Sequence, residues 1–132
     1  MTVRSSAVAG TFYESDAARL RAHIDTLLAN APAPPDQRPQ ALIVPHAGYI
    51  YSGATAASAY RTLATAAGAI RRVVLFGPAH RVPLRGMALP DADAFRTPLG
   101  DIPLDLDLMD RARALTGVTV SDEAHRLEHS LE

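Results

Sequence analysis

Two apolar runs that each end in a histidine set the frame for this chain. Ala41-Leu42-Ile43-Val44-Pro45 leads into His46, and Val73-Val74-Leu75-Phe76-Gly77-Pro78-Ala79 leads into His80. Short apolar runs stopped by Pro or Gly read as buried strands, here over about 41–45 and 72–77. Between them, Gly53 to about residue 67 reads as a helix kept slim by Ala54, Ala56, Ala57, Ala59 and Ala64, with bulk from Tyr60 and Leu63 and a stop at Gly68. Strand, helix, strand is the order of a βαβ unit. Its strands lie parallel and release both histidines at one edge of a sheet. Open α/β sheets build their sites at that carboxyl edge. Two imidazoles distant in sequence are therefore expected in one cleft.

The remaining segments fit an α/β fold with a mostly parallel sheet flanked by helices. Residues 1–14 form an irregular arm carrying Gly10-Thr11-Phe12-Tyr13. A helix follows, capped by Ser15 with Asp16 in its first turn and Leu20, Ile24, Leu27 and Leu28 as its apolar stripe, ending at Asn30. Ala31-Pro32-Ala33-Pro34-Pro35-Asp36 is a stiff connector. Beyond His80, Gly86-Met87-Ala88-Leu89 suits a short strand, and Phe95 to Asp101 a turn or hairpin. Asp105 to about Thr116 suits a helix stopped by Gly117, and Val118-Thr119-Val120 another strand. Ser121-Asp122-Glu123 caps a last helix carrying His125, Glu128, His129 and Glu132. That helix runs to Leu131-Glu132 without a stop signal. Three or four short strands covered on one side also make a thin core for parallel strands. One domain over 1–132, the N-terminal portion of a longer fold, is the expectation; a cloning scar is a rival account of Leu131-Glu132 alone.

Composition removes several classes of function. The formal net charge of −1 leaves no broad footprint for nucleic acid. Cysteine is absent, so thiolate ligands and disulfides are excluded within the chain. No apolar run approaches the ~18 residues of a membrane helix. The first residues do not lead into a signal-peptide core, and the cytoplasm is the expected location.

Both His46 and His80 read as metal ligands or general bases held at sharp turns, against the plainer reading of imidazoles bonded to nearby backbone. Non-haem iron takes two histidines and a carboxylate, whereas zinc takes a third N, S or O ligand and a water. Asp91, Asp93, His125 and His129 are the candidates for that third group. His125 and His129, four apart, would share a helix face, with His125 on a polar surface. Tyr49 and Tyr51 flank the turn after His46 as cleft-lining candidates, one hydroxyl able to reach a bound oxygen. Ser52 would cap the 53–67 helix at the same cleft. Arg81, Arg85 and Arg96 would bind an anionic group near His80, or pair with local Asp.

Six pieces, in order, carry a family resemblance: Val8-Ala9-Gly10-Thr11-Phe12-Tyr13, Pro45-His46-Ala47-Gly48-Tyr49, Tyr51-Ser52-Gly53, Gly77-Pro78-Ala79-His80, Thr97-Pro98-Leu99-Gly100 and Glu128-His129-Ser130-Leu131-Glu132. Together they resemble the MEMO family, also called the AmmeMemoRadiSam system protein B family. The resemblance implies a fold similar to class III extradiol dioxygenases, with iron or copper in the cleft; zinc also fits the donors. It implies His46 and His80 as metal ligands and His129 as a further cleft histidine with a catalytic role. The family's remaining ligand lies in a C-terminal half, often as a cysteine, and this chain stops inside the Glu-His-Ser-x-Glu motif.

The leading expectation is thus a MEMO-type metal-binding protein. An extradiol-type dioxygenase acting on a catechol-like substrate is the enzymatic alternative, and a metal-free peptide-interaction module is the third. The family name implies a pathway shared with AMMECR1-like and radical-SAM proteins. Exposed sheet edges imply association with another copy.

Overall fold

A computed structural model describes all residues, 1–132. The chain divides into two compact units, one formed by Ala9–Val74 and the other by Met1–Val8 with Leu75–Glu132. Helices and both parallel and antiparallel strand pairs make it an α/β protein. No helix is long and apolar enough to cross a membrane.

The unit Ala9–Val74 is helical. α1 spans Ala17–Asn30 and is capped by Asp16, whose carboxylate accepts from the backbone of Arg19, so the cap lies one residue beyond the expected Ser15. Its apolar stripe sinks Leu20 and half-buries Ile24, Leu27 and Leu28. α2 spans Tyr49–Tyr60 and passes into a 3-10 segment, Arg61–Ala69. The helix therefore starts before the expected residue 53. Ser52 lies inside it and donates its hydroxyl to the Ala47 carbonyl (2.9 Å) rather than capping, and Gly68 lies within the 3-10 segment. Small residues on α2 serve close packing, but against α1 and not a sheet. Gly53 is buried, and a β-carbon there would sit 3.0 Å from Leu27 Cδ1.

The two histidine-bearing runs do not form strands. Residues 41–46 and 70–79 take part in no strand pairing. Half-buried Leu42 and Val44 alternate with fully exposed Ile43, so the first run is extended. Val73, Val74, Leu75 and Phe76 are all exposed. The apolar run states that a segment needs cover, whereas a strand exists only where a second backbone answers its donors and acceptors.

All strand pairing lies in the unit built from both ends of the chain. β1, Val3–Arg4, runs parallel to β3, Ala94–Thr97, which forms an antiparallel hairpin with β4, Gly100–Pro103. The hairpin is the one expected near residues 95–101. Its turn is held by the Thr97 hydroxyl, which donates to the Gly100 carbonyl and accepts from the Leu99 amide. β2, Met87–Leu89, pairs in parallel with β5, Val118–Val120, both anticipated as short strands. Asp105 caps α3, which spans Leu106–Arg113 and ends before the expected residue 116. The Ser121 hydroxyl caps α4, Asp122–Arg126. α4 stops short of Glu128 and His129, so His125 and His129 share no helix face.

Candidate functional site

His80 and His129 meet within the unit that holds both. Their rings stack with centroids 4.6 Å apart and planes 18° from parallel. His80 follows Pro78 and Ala79 in a segment without regular secondary structure, and His129 lies in the turns that follow α4. Two contacts bring these backbones together. Ser130 Oγ donates to the Pro78 carbonyl at 2.8 Å. Gly77 makes room for the approach, since a β-carbon there would lie 2.8 Å from Ser130 Cβ and 2.7 Å from Leu131 Cδ2.

Glu128 joins the two segments. Its buried carboxylate (5% exposed) accepts four hydrogen bonds. Oε2 takes the backbone N–H of His80 at 2.6 Å. Oε1 takes the His80 ring Nδ1 at 2.8 Å and the backbone N–H groups of His129 and Ser130, both at 2.9 Å. Burial alone would raise the carboxyl pKa. The His80 backbone and ring, then the Ser130 and His129 amides, outweigh it and bring the value down to about 2. A carboxylate so held is ionised at neutral pH, and hydrogen bonds to a charged acceptor contribute about 1.5–3 kcal/mol each. Sequence reasoning placed Glu128 on a helix face. Its position directly before His129 in the Glu-His-Ser motif was the signal that could have found it.

The remaining candidates divide between the two units. His46 lies in the unit Ala9–Val74, exposed, at the end of the extended run after Pro45. Tyr49 opens α2 and packs against Tyr13 (5.5 Å between ring centroids) and His23 (5.7 Å), and its amide donates to the Phe12 carbonyl. Burial first, then the nearby Tyr60 and Glu14, raise its phenol above 10.0. Tyr51 is exposed. His125 is buried rather than on a polar surface. Its Nε2 lies 2.9 Å from the Ala88 carbonyl, and its ring meets Phe95 edge-on. Asp93 accepts from the Thr2 amide at 2.6 Å, and Asp91 lies 3.8 Å from Arg113. Arg96 is paired with Asp101 through two nitrogens, the plainer of its two readings, while Arg81 and Arg85 are exposed.

A second buried charge cluster braces the turn that carries His129. Arg4 and Glu132 side chains are 8% and 2% exposed and pair at 2.8 Å. Arg4 also donates to the carbonyls of His125 and Glu128 and lies over the Phe95 ring. Glu132 accepts the amides of Ala7 (2.7 Å) and Val8 (3.0 Å).

Comparison with known proteins gives the same family as the motifs. A family profile described as Memo-like protein matches residues 4–132. A MEMO1 family protein of Aquifex aeolicus is 38% identical over 132 residues, which cover 100% of this chain and 48% of that protein. A protein memo-1 homolog of Caenorhabditis elegans is 37% identical over 130 residues, covering 98% and 36%. Protein MEMO1 of Danio rerio is 39% identical over 105 residues, covering 80% and 34%. The chain spans about a third to a half of the length of these curated relatives.

Proposed function

The chain belongs to the Memo-like family, and from that premise we propose that it is a MEMO-type metal-binding protein whose ligands are His80 and His129, joined by His46 as the motif resemblance implies. The stacked pair of His80 and His129 carries the reading, because it sets two imidazoles side by side on backbones that are held together. The motif resemblance adds His46, after Pro45, as the source of a further nitrogen. The donor chemistry fits. Neutral imidazoles suit iron, copper and zinc, and three of them leave coordination positions for a substrate or water. A metal bound there would supply Lewis-acid polarisation of an oxygen-bearing ligand.

The finer reading is oxygen chemistry of the extradiol type on a catechol-like substrate. It rests on the motif resemblance, and its activity belongs to a protein of the relatives' full length. Oxygen uptake with a catechol panel under Fe(II) tests it, and no turnover by a full-length version counts against it. The metal site is tested first, by elemental analysis of the chain and of His46→Ala, His80→Ala and His129→Ala after equal exposure to iron, copper and zinc. Each variant is expected to retain under about a tenth of the wild-type metal, at least the loss seen on removing an outer-shell partner. Metal content unchanged in all three would remove the proposal.

A further inference from the structure

We propose that Glu128 is the positioning residue of the histidine pair: its carboxylate keeps the ring proton of His80 on Nδ1, makes Nε2 the ligand nitrogen, and fixes His129 beside it through the backbone. The role assigned to Nε2 rests on the metal reading above; the proton placement does not.

The chemistry follows from what each atom can do. An ionised carboxylate only accepts hydrogen bonds. Oε1 lies 2.8 Å from His80 Nδ1, so that nitrogen carries the hydrogen and the lone pair of a neutral ring falls on Nε2. The same oxygen lies 3.5 Å from His129 Nδ1, beyond a good hydrogen bond. Glu128 therefore acts on the tautomer of the His80 ring alone. It holds His129 through the main chain instead, with the amides of His129 and Ser130 both on Oε1. Oε2 meanwhile takes the His80 amide. One side chain thus anchors the backbone of both histidines and the ring of one. Few rotations remain open to a carboxylate with four donors around it, and its burial keeps water from competing. Metal-binding histidines commonly give their second N–H to such a carboxylate, which orients the ring and raises its basicity.

Long-range proton–nitrogen correlation spectra of the metal-free protein, at a pH where His80 is neutral, test the assignment directly. His80 is expected as the Nδ1–H tautomer in the wild type and to revert toward the Nε2–H form, the usual one for a solvated imidazole, in Glu128→Ala. Glu128→Gln can keep its oxygen at the Oε1 position, facing the ring Nδ1 and two amides, and set its NH2 toward the backbone N–H of His80. It should retain most of the Nδ1–H form, and it remains informative where the alanine variant fails to fold. Ser130→Ala removes the bond to the Pro78 carbonyl without touching the ring and should leave the tautomer unchanged. Zinc titration against a chromophoric chelator should then show about 10–100-fold weaker binding by Glu128→Ala. A wild-type Nε2–H form, an unmoved tautomer in Glu128→Ala, or an equal shift in Ser130→Ala would each overturn the proposal, as would zinc affinity unchanged by a shifted tautomer. A wild-type chain that binds no zinc would defeat the metal reading instead, and the spectra would still decide what Glu128 does to His80.

Discussion

Histidine is informative here only through what holds its ring. The chain has five, and their surroundings divide them. His125 is buried against a carbonyl and a phenylalanine, whereas His80 and His129 are stacked, the first held to a carboxylate by its ring and the second by its backbone amide. His23 is paired at 3.0 Å with both oxygens of Glu14. That bond, chiefly, lowers the Glu14 carboxyl below its ordinary 4.5, aided by its own backbone amide and, more weakly, by the charges of His23 and Arg19 against a small opposing effect of burial. The sign follows from linkage: a carboxyl whose folded value is depressed adds stability above its unfolded value, and loses it as the pH falls through the folded one. An NMR titration should therefore place the Glu14 midpoint under 4.5, and His23→Ala should move it back up. A midpoint indifferent to His23 would show that the contact does not persist in solution.

Local signals placed most helices and turns, and they did so through chemistry that acts over three or four residues. Ser121 reads as a helix cap because its short oxygen side chain can reach an amide three positions on, and it does so at Ala124. Asp16 caps α1 by the same rule, since its carboxylate lies three positions before the Arg19 amide that it accepts. The histidine-bearing runs failed as strands for a different reason, because no local signal can supply a pairing partner. Glycines show the same contrast between local and distant demands. Gly86 has φ +80°, and a β-carbon there would collide with the Gly117 carbonyl at the start of the β2–β5 ladder, whereas Gly68 meets nothing within 4 Å. Gly86→Ala should destabilise the protein by about 1–3 kcal/mol. Gly68→Ala should be neutral or add about 0.4–1 kcal/mol by narrowing the unfolded ensemble. Denaturant midpoints of the two variants provide the check, and equal shifts would contradict the geometry.

The unit that contains every strand is assembled from opposite ends of the chain. β1 enters beside β3, and Arg4 closes on Glu132, so residues 1–8 belong structurally with the segment that begins at Leu75. Removing one partner of a buried ion pair leaves the other charge without compensation, a loss of about 3–5 kcal/mol. Arg4→Ala should lower the unfolding free energy by that order in a denaturant titration, far more than Arg19→Ala, whose residue lies on the exposed face of α1. Equal losses would mean that the pair is not buried in solution. Residue order alone determined the short-range features: the caps, the connector, the 95–101 hairpin, the small β2 and β5 strands, and the six motifs that mark the family. Each depends on neighbours a few positions away, or on identities that need no coordinates to read. Tertiary structure decided that the small residues of α2 face α1, that His125 is enclosed, and that Glu128 grips His80 from 48 residues away. A hydrogen bond or a buried face takes its partner from whatever the fold brings close, and spacing along the chain does not carry that information.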